Sequence, residues 1–251
     1  MRIKLAALLA AASVAAVAAA DLTVLSAGAV ESAVRKLAKH YEREFSRDVE
    51  VVFGTGPEIT SRLASGAAAD VLIAPAGVMA KAAKSGKVIT DTQVEIARVG
   101  VGVTVRRGAA RPAVATTNAL KEALLRADSV VYNQASTGQY LEKLFERMGV
   151  VDQLKAKTTR YASAAQVMEH VIRGSGYEIG FGPITEIRDF EPKGLIFVAP
   201  LPADAQNYTT YVAAVMSDAR APDAGRDFVR YLTSAAARRT FAATGVESSL
   251  H

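Results

Sequence analysis

The sequence has 251 residues, a formal net charge of +5 and 50% hydrophobic residues, and it contains no cysteine. This length exceeds the ~150 residues of a typical single domain, so we expect one large or two modest domains. The lack of cysteine excludes disulfide bonds, an acylated N-terminal cysteine and a cysteine-based zinc site. Basic residues are interspersed with acidic ones, as in RKLAKHYEREFSRD, and few aromatic residues accompany them. This pattern is typical of a solvated helix face, so no nucleic-acid partner is predicted.

Residues 1–20, MRIKLAALLAAASVAAVAAA, have the layout of a secretory signal peptide. Arg2 and Lys4 supply a positive start, an apolar run follows, and Ala18-x-Ala20 offers a small-residue cleavage site before Asp21. An uncleaved membrane anchor is the alternative, although the apolar run is shorter than the ~20 residues that span a bilayer. Cleavage would lower the net charge to +3. We therefore expect a soluble protein that is exported to a bacterial periplasm.

Taken in chain order, short apolar runs alternate with helix-period segments almost to the end of the sequence. Strands are predicted at residues 22–25, 49–53, 70–73, 98–105, 129–132, 178–181, 195–198 and 211–216. Helices are predicted at residues 31–45, 57–64, 78–84, 118–126, 138–148, 164–173 and 224–243. Several strand segments are uninterrupted Val/Ile/Leu runs, as expected for parallel strands covered on both faces. The alternation predicts an α/β fold.

Three helix starts match the pattern of a capping box, in which a hydroxyl residue and a carboxylate or amide residue three positions later satisfy free backbone N–H groups. The three pairs are Thr55–Glu58, Ser136–Gln139 and Ser163–Gln166. The two residues of each pair are three positions apart. Each pair therefore predicts a helix start from the local sequence alone.

The strand predicted at residues 98–105 is long, contains glycines (VGVGVTV) and has no helix directly after it. A long strand with glycines suits a crossing from one lobe to another. A return crossing is expected within residues 204–210. This divides the chain after the signal peptide into lobe 1, residues 21–100 and 207–251, and lobe 2, residues 101–206. A single domain with a long edge strand is the alternative.

Residues with a catalytic or metal-binding pattern are scarce. The histidines are His40, His170 and His251. They lack metal-ligand spacing, so no metal ion or other cofactor is expected. Ser136 lacks the G-x-S-x-G elbow of a serine nucleophile. Asp70 and Tyr140 are the nearest candidates for an enzyme, but a carboxylate at the start of a buried strand more often fixes a loop by accepting hydrogen bonds. We therefore predict that the protein is not an enzyme.

Small residues recur where predicted strands give way to helices. These corners are Ser26-Ala27-Gly28-Ala29, Gly54-Thr55-Gly56, Ala135-Ser136-Thr137-Gly138 and Gly182-Pro183. In a parallel sheet they lie at the carboxyl ends of strands, where ligands bind in open α/β folds. Small side chains expose backbone N–H groups, and the positive end of the following helix attracts negative charge. The corners predict a site that holds an anion without Lys or Arg; turns and caps with no ligand are the alternative.

Several longer stretches resemble one known family. They are LTVLSAGAVESAV, VEVVFGTGPEITSRLASGAAADVLIAP, ASTGQYLEKL, EIGFGPITEI and YVAAVMSDARAPDAGRDFVRYLTSAAARRTFAATGV. The sequence is similar to the periplasmic molybdate-binding proteins of ABC importers, which are type II periplasmic solute-binding proteins, from Leu22 to near Val246. The resemblance implies two α/β lobes, each a mixed, mostly parallel sheet flanked by helices, joined by two crossover strands. It also implies that one ligand is clamped between the lobes without catalysis, and that the loaded form docks on an inner-membrane ABC permease. We also expect a monomer.

The resemblance assigns ligand contacts to the same corners. Molybdate-binding relatives have serine hydroxyls at the positions of Ala29 and Gly56 and a tyrosine hydroxyl at the position of Phe181. Backbone N–H groups are expected from Thr137 and Val167. The predicted ligand-binding residues are Ser26, Gly28, Ala29, Gly54, Thr55, Gly56, Ser136, Thr137, Val167 and Phe181.

Three side-chain hydroxyls are therefore missing from the positions that would surround a tetrahedral oxyanion. Each hydrogen bond to a charged group contributes roughly 1.5–3 kcal/mol, so a bare oxyanion should bind orders of magnitude more weakly. Smaller side chains also widen the pocket, and Pro57 removes one donor. These changes predict a small organic acid as the ligand. The alternatives are a molybdate or tungstate oxyanion, a periplasmic sensory module that needs the same clamp, and an enzyme on the same scaffold.

Overall fold

The computed structural model describes residues 20–247, so the predicted signal peptide lies outside the described residues except for Ala20. Within residues 20–247 the strands are β1 (Leu22–Ala27), β2 (Val49–Gly54), β3 (Val71–Pro75), β4 (Val94–Arg106), β5 (Ser129–Asn133), β6 (Thr158–Tyr161), β7 (Glu178–Pro183), β8 (Leu195–Pro200) and β9 (Tyr208–Val215). The α-helices of this range are α1 (Glu31–Phe45), α2 (Gly56–Ala64), α3 (Ala76–Lys84), α4 (Thr117–Arg126), α5 (Ser136–Met148), α6 (Val151–Leu154), α7 (Ala164–Arg173), α8 (Ile184–Phe190), α9 (Pro222–Leu232) and α10 (Ala235–Ala243). None of these helices is long and apolar enough to cross a bilayer.

The strands of the described chain form one continuous sheet in the order β2-β1-β3-β9-β4-β7-β5-β6, with β8 also paired to β4. Residues 94–100 of β4 pair with β9, and residues 101–106 pair with β7 and β8. We call β2, β1, β3, β9 and the first part of β4 sheet 1, and the second part of β4 with β7, β8, β5 and β6 sheet 2. The long strand predicted at residues 98–105 thus runs through both sheets. Its pairing partners change between residues 100 and 101.

Each sheet has parallel outer strands and antiparallel strands next to the crossing. Strand β1 is parallel to β2 and β3, and β5 is parallel to β6 and β7. Strand β9 is antiparallel to β3 and β4, and β7 and β8 are antiparallel to β4. The predicted α/β fold with mixed sheets is confirmed, but each sheet has two parallel and two antiparallel pairings and is not mostly parallel. Parallel strands also bring the corners that follow them to the same edge of each sheet.

Helices cover both faces of the second sheet, as its apolar strands require. The consecutive β5 residues Val130 and Val131 are both fully buried but belong to different core clusters. Val130 clusters with Leu120 of α4 and Phe145 of α5, whereas Val131 clusters with Met168 of α7. Because successive side chains of a strand point to opposite faces, a strand covered on both sides is a continuous apolar run.

Some elements differ from the sequence-based predictions. The helix predicted at residues 224–243 is two helices, because the Ser234 hydroxyl begins α10 by accepting a hydrogen bond from the Ala237 N–H at 3.1 Å. The sequence pattern does not predict β6, since TTRY is a polar, half-buried strand at the edge of sheet 2. It does not predict α6 or α8 either, because these helices are too short for a helical period to be recognised.

Candidate functional site

A cleft of about 550 Å³ lies between sheet 1 and sheet 2. Its wall on the first side follows the ends of β1, β2 and β3, and its wall on the second side follows the ends of β5, β6 and β7. The lining residues fall within residues 27–35, 53–58, 133–137, 163–165 and 183–193, together with Pro75 and Tyr211. Residues from all four predicted corners therefore border one shared cavity.

The turn after β1 brings Gly28 and Ala29 to the cleft. It is a single 3-10 turn, Gly28–Val30, that leads directly into α1. A Cβ added at Gly28 would meet no atom closer than the Gly54 carbonyl oxygen, at 3.9 Å, so the first two corners lie side by side around open space. Ser26, another predicted ligand residue, is fully buried, and its hydroxyl donates to the Ala27 carbonyl at 3.4 Å. It does not line the cleft.

The corner after β2 contains the first predicted capping box, which is confirmed. The Glu58 N–H donates to Thr55 Oγ1 at 3.4 Å, and the Thr55 N–H donates to Glu58 Oε2 at 2.7 Å. Gly54, Thr55 and Gly56 all line the cleft. The Thr55 hydroxyl thus serves the helix start while bordering the cleft, and its bond to the helix is long enough to be weak.

The corner after β5 corrects one prediction: Ser136 does not cap α5. The helix is capped by the side chain of Asn133, whose Oδ1 accepts hydrogen bonds from the Ala135 N–H at 3.1 Å and the Gly138 N–H at 3.0 Å. Gly138 is needed here because a Cβ would overlap the Asn133 carbonyl. Ser136 is the first residue of α5, and within residues 20–247 its hydroxyl has no hydrogen-bond partner. It borders the cleft beside Thr137 and is available to a ligand.

The corner after β6 contains the third capping box, Ser163 with Gln166, which is confirmed. The cleft wall here consists of Ser163, Ala164 and Ala165. Val167, a predicted ligand residue, lies deeper: its side chain is fully buried, and its N–H donates to the Ser163 carbonyl at 3.4 Å. Phe181 is also fully buried, 6.0 Å from the ring of Phe145, and does not line the cleft.

The three capped helices present unpaired backbone donors to the cleft. In α2, α5 and α7 the side-chain cap binds the third N–H group of the helix. The first two N–H groups of an α-helix have no intrahelical acceptor. Pro57 removes one of these six, and the remaining five belong to residues that all line the cleft: Gly56, Ser136, Thr137, Ala164 and Ala165. Helix dipoles add positive potential at the same place, so the arrangement suits an anion.

The sequence reasoning missed a partly buried acidic group in the cleft. Glu186, the third residue of α8, lines the cleft together with Tyr211 of β9. Burial, followed by the neighbouring carboxylates of Glu31 and Asp189, raises the pKa of Glu186 to about 7. Burial, with a smaller contribution from Glu186, also raises the pKa of Tyr211 above its usual range, so its hydroxyl stays protonated. No local sequence pattern marks Glu186, because its neighbours come from three separate elements.

Cationic side chains at the cleft are already engaged with neighbours. Arg35 pairs with Glu31 at 2.7 Å and lies 4.6 Å from the centroid of the Phe53 ring. Lys193 lies 4.0 Å from the centroid of the Phe190 ring. Both cations line the cleft, but they come from α1 and from the turn after α8 and not from the small-residue corners.

The two residues considered for catalysis have structural roles outside the cleft. Asp70 accepts hydrogen bonds from the Thr23 N–H at 2.7 Å, the Thr23 hydroxyl at 2.8 Å and the Ala221 N–H at 2.9 Å. Although burial opposes its charge, these bonds hold the pKa of Asp70 below its usual value. The Tyr140 hydroxyl donates to the Ala205 carbonyl at 2.7 Å. Asp70 therefore fixes a loop, as the sequence favours.

Comparison with known proteins agrees with a cleft built for a solute. The model of the bacterial extracellular solute-binding protein family matches residues 22–247. The chain belongs to this family. Aconitate isomerase of a Pseudomonas species is 31% identical over 232 residues, which cover 90% of this chain and 87% of that protein. The molybdate-binding protein ModA of Haemophilus influenzae is 26% identical over 238 residues, 91% of this chain and 90% of that protein.

The fold is that of type II periplasmic binding proteins. The solved structure of the periplasmic molybdate-binding protein of Azotobacter vinelandii aligns with a TM-score of 0.75 at 16% sequence identity, covering 90% of this chain and 99% of that one. The predicted resemblance to molybdate-binding proteins is therefore confirmed, and this protein is a solute-binding protein of that type.

Proposed function

We propose that the protein binds a small organic acid in the cleft and delivers it to an inner-membrane ABC permease from the periplasm. The observation that carries this proposal is the set of five unpaired N–H groups from three helix starts on the wall of one cleft. The ligand-binding residues of this proposal are Gly28, Ala29, Gly54, Thr55, Gly56, Ser136, Thr137, Ala164 and Ala165. Ser26, Val167 and Phe181 are fully buried and do not line the cleft.

The size and chemistry of the cleft favour an organic acid over a tetrahedral oxyanion. The cleft holds about 550 Å³, which is far more than one oxyanion fills. The methyl group of Ala29 and the bare backbone of Gly56 supply no hydroxyl to the anion. Aconitate isomerase of a Pseudomonas species, which shares 31% identity with this chain, is named for a small carboxylic acid. A di- or tricarboxylic acid is therefore the first class to test.

Ligand binding is proposed to close lobe 1, residues 21–100 and 207–251, over lobe 2, residues 101–206. Closure favours the loaded protein only if the ligand binds the closed arrangement better than an open one. In this proposal the closed arrangement binds the ligand better because its donors come from both sheets. Only when the sheets are close together can Gly56 and Thr137 contact the same ligand. The closed monomer would then be the form that docks on the permease.

A thermal-shift screen of small carboxylates, molybdate, tungstate and sulfate tests the proposal. A ligand at 100 times its Kd should add about 2.7 kcal/mol to the free energy of unfolding. Gly28→Leu should abolish this effect, because the new side chain enters the cleft from a position with open space around it. Gly77→Leu is the matched control, since Gly77 also has open space around it but does not line the cleft. Stabilisation by molybdate alone would refute an organic-acid ligand, and stabilisation by no anion would refute the proposal.

Glu186 favours a second candidate function, the isomerisation of a bound unsaturated acid. A carboxyl group with a pKa of about 7 can both accept and donate a proton at neutral pH, which suits general acid–base catalysis. The similarity to a protein named aconitate isomerase supports this candidate and suggests aconitate as the substrate to test. Purified protein is incubated with cis-aconitate in deuterated buffer, and the trans isomer is followed by proton NMR. Turnover that is lost in Glu186→Gln would support an enzyme; no turnover by the wild-type protein, despite binding, would leave the transport function.

A further inference from the structure

Glu186, a carboxyl group in the wall of the cleft, has neither a hydrogen bond nor an ion pair within residues 20–247. Glu31 is paired with Arg35, and Glu58 accepts the Thr55 N–H. Asp189 is exposed and has Ser32, Lys36 and Lys193 as neighbours. Glu186 is left partly buried in the wall, next to the space that a ligand would fill.

The elements around Glu186 place ionisable side chains near its carboxyl group. Helix α1 brings the Glu31 carboxylate, α8 itself brings Asp189, and β9 brings the Tyr211 hydroxyl. The charges of Lys36 and Lys193 act on Asp189, and Arg35 is paired with Glu31, whereas no cation lowers the pKa of Glu186. Like charges and burial both disfavour an ionised carboxyl group. These are the conditions under which a carboxylic acid remains protonated near neutral pH and acts as a hydrogen-bond donor.

An anion in the cleft would add a further negative charge beside this group. An ionised Glu186 would repel the anion, whereas a protonated Glu186 offers it an O–H donor. The Tyr211 hydroxyl on the same wall is a second donor. We propose that Glu186 binds the anion in its protonated form, so that ligand binding takes up one proton at this residue. This inference rests on the proposed function and adds the regulation of the site by pH.

The direction of the pH dependence follows from the protonation of the free protein. Below pH 6 Glu186 already carries its proton, so the affinity should not change with pH. Above pH 7 the proton must be taken from solution, and the Kd should rise by up to about tenfold per pH unit. In a compartment whose pH follows the environment, the protein would load best in mildly acidic surroundings.

The test measures the Kd of trans-aconitate by calorimetry from pH 5.5 to 8.5 for the wild-type protein and for Glu186→Gln. Because trans-aconitate itself titrates, the variant supplies the pH dependence of the probe alone. A Gln side chain has the shape of the protonated acid and an N–H donor, so binding should persist and the extra loss of affinity above pH 7 should vanish. Calorimetry at pH 8 in two buffers of different ionisation enthalpy should show that the wild-type protein takes up more protons than the variant, by up to one per ligand.

The possible outcomes distinguish a failure of the proton uptake at Glu186 from a failure of the proposed organic-acid binding. Binding with the same pH dependence in both proteins would overturn the proton uptake but leave the proposed function intact. Loss of binding in a folded Glu186→Gln at every pH would also overturn it, because the carboxylate would then be the binding form. No binding of trans-aconitate to the wild-type protein at pH 5.5 would overturn the inference for carboxylates together with the organic-acid assignment. Circular dichroism and thermal unfolding without ligand establish that the variant is folded.

Discussion

The hydroxyl of Thr185 donates a hydrogen bond to the backbone carbonyl of Ala29 at 2.6 Å. Thr185 is the second residue of α8, on the side of sheet 2, and Ala29 is in the turn after β1 of sheet 1. Both residues are buried. The bond therefore joins the two sides of the cleft, next to Glu186.

Replacing Thr185 by Val should open the cleft. The substitution keeps the shape of the side chain but leaves a buried carbonyl without its donor, which costs about 1–3 kcal/mol in the closed arrangement. We expect ligand affinity to fall by about 5- to 100-fold and small-angle scattering of the unliganded protein to show a larger radius of gyration. Thr104→Val is the matched control, because Thr104 makes a similar 2.9 Å bond to the Ile196 carbonyl within sheet 2 alone. Equal affinities of the two variants would contradict a bond that acts across the cleft.

Thr55→Ala separates the capping role of this residue from a contact with the ligand. Loss of the N-cap should cost about 1 kcal/mol of stability. Thr116→Ala should cost a similar amount, because Thr116 caps α4 through the Ala119 N–H at 3.1 Å, outside the cleft. If Thr55 also binds the ligand, only Thr55→Ala should reduce the shift of the melting temperature at saturating ligand. An equal ligand-induced shift in both variants would assign Thr55 to capping alone.

Ser136→Ala should weaken ligand binding but leave the stability of the free protein almost unchanged. Since Asn133 caps α5, the stability of the free protein should change by less than about 0.5 kcal/mol. The loss of a hydroxyl bound to a charged ligand should weaken binding by roughly 1.5–3 kcal/mol, or about 10- to 150-fold. Ser234→Ala, which removes the cap of α10 away from the cleft, should lower stability and leave binding unchanged. Isothermal titration calorimetry and chemical unfolding measure the two quantities, and a Ser136→Ala that binds normally would remove this hydroxyl from the site.

Glu186→Gln should stabilise the unliganded protein at alkaline pH. The pKa of Glu186 is raised from 4.5 to about 7, so the native state holds a proton that the unfolded state releases between these values. The free energy of unfolding therefore falls as the pH rises through this window and does not recover above it. We expect the variant to be more stable than the wild-type protein by about 1–3 kcal/mol at pH 8 and equally stable at pH 4.

Urea unfolding at the two pH values measures this difference. Glu95→Gln on the exposed part of β4 is the control, and it should change stability little at either pH. If Glu186→Gln shows the same small change at pH 4 and pH 8, then Glu186 is ionised at neutral pH in the native protein.

Much of the fold could be predicted because its signals are local. The capping boxes at Thr55 and Ser163 each involve residues three positions apart, and α1 and α7 have the predicted ends. The Ser136 prediction was wrong although its pattern was equally good. The buried Asn133 side chain accepts hydrogen bonds from the Ala135 and Gly138 N–H groups, so α5 already begins at Ser136, and Ser136 lies inside the helix instead of capping it. A local pattern states what can form a cap, and packing decides which candidate does.

The sequence by itself determined that this is an α/β chain with small-residue corners after its strands, because strand and helix periods and helix caps depend on neighbouring residues. The tertiary structure decided which groups meet in the cleft. Glu186, Tyr211 and Ala29 lie far apart in the chain, and only the folded sheet brings them together. The pKa of Glu186 depends on burial and on charges from other elements, so no inspection of its sequence neighbours could have revealed it.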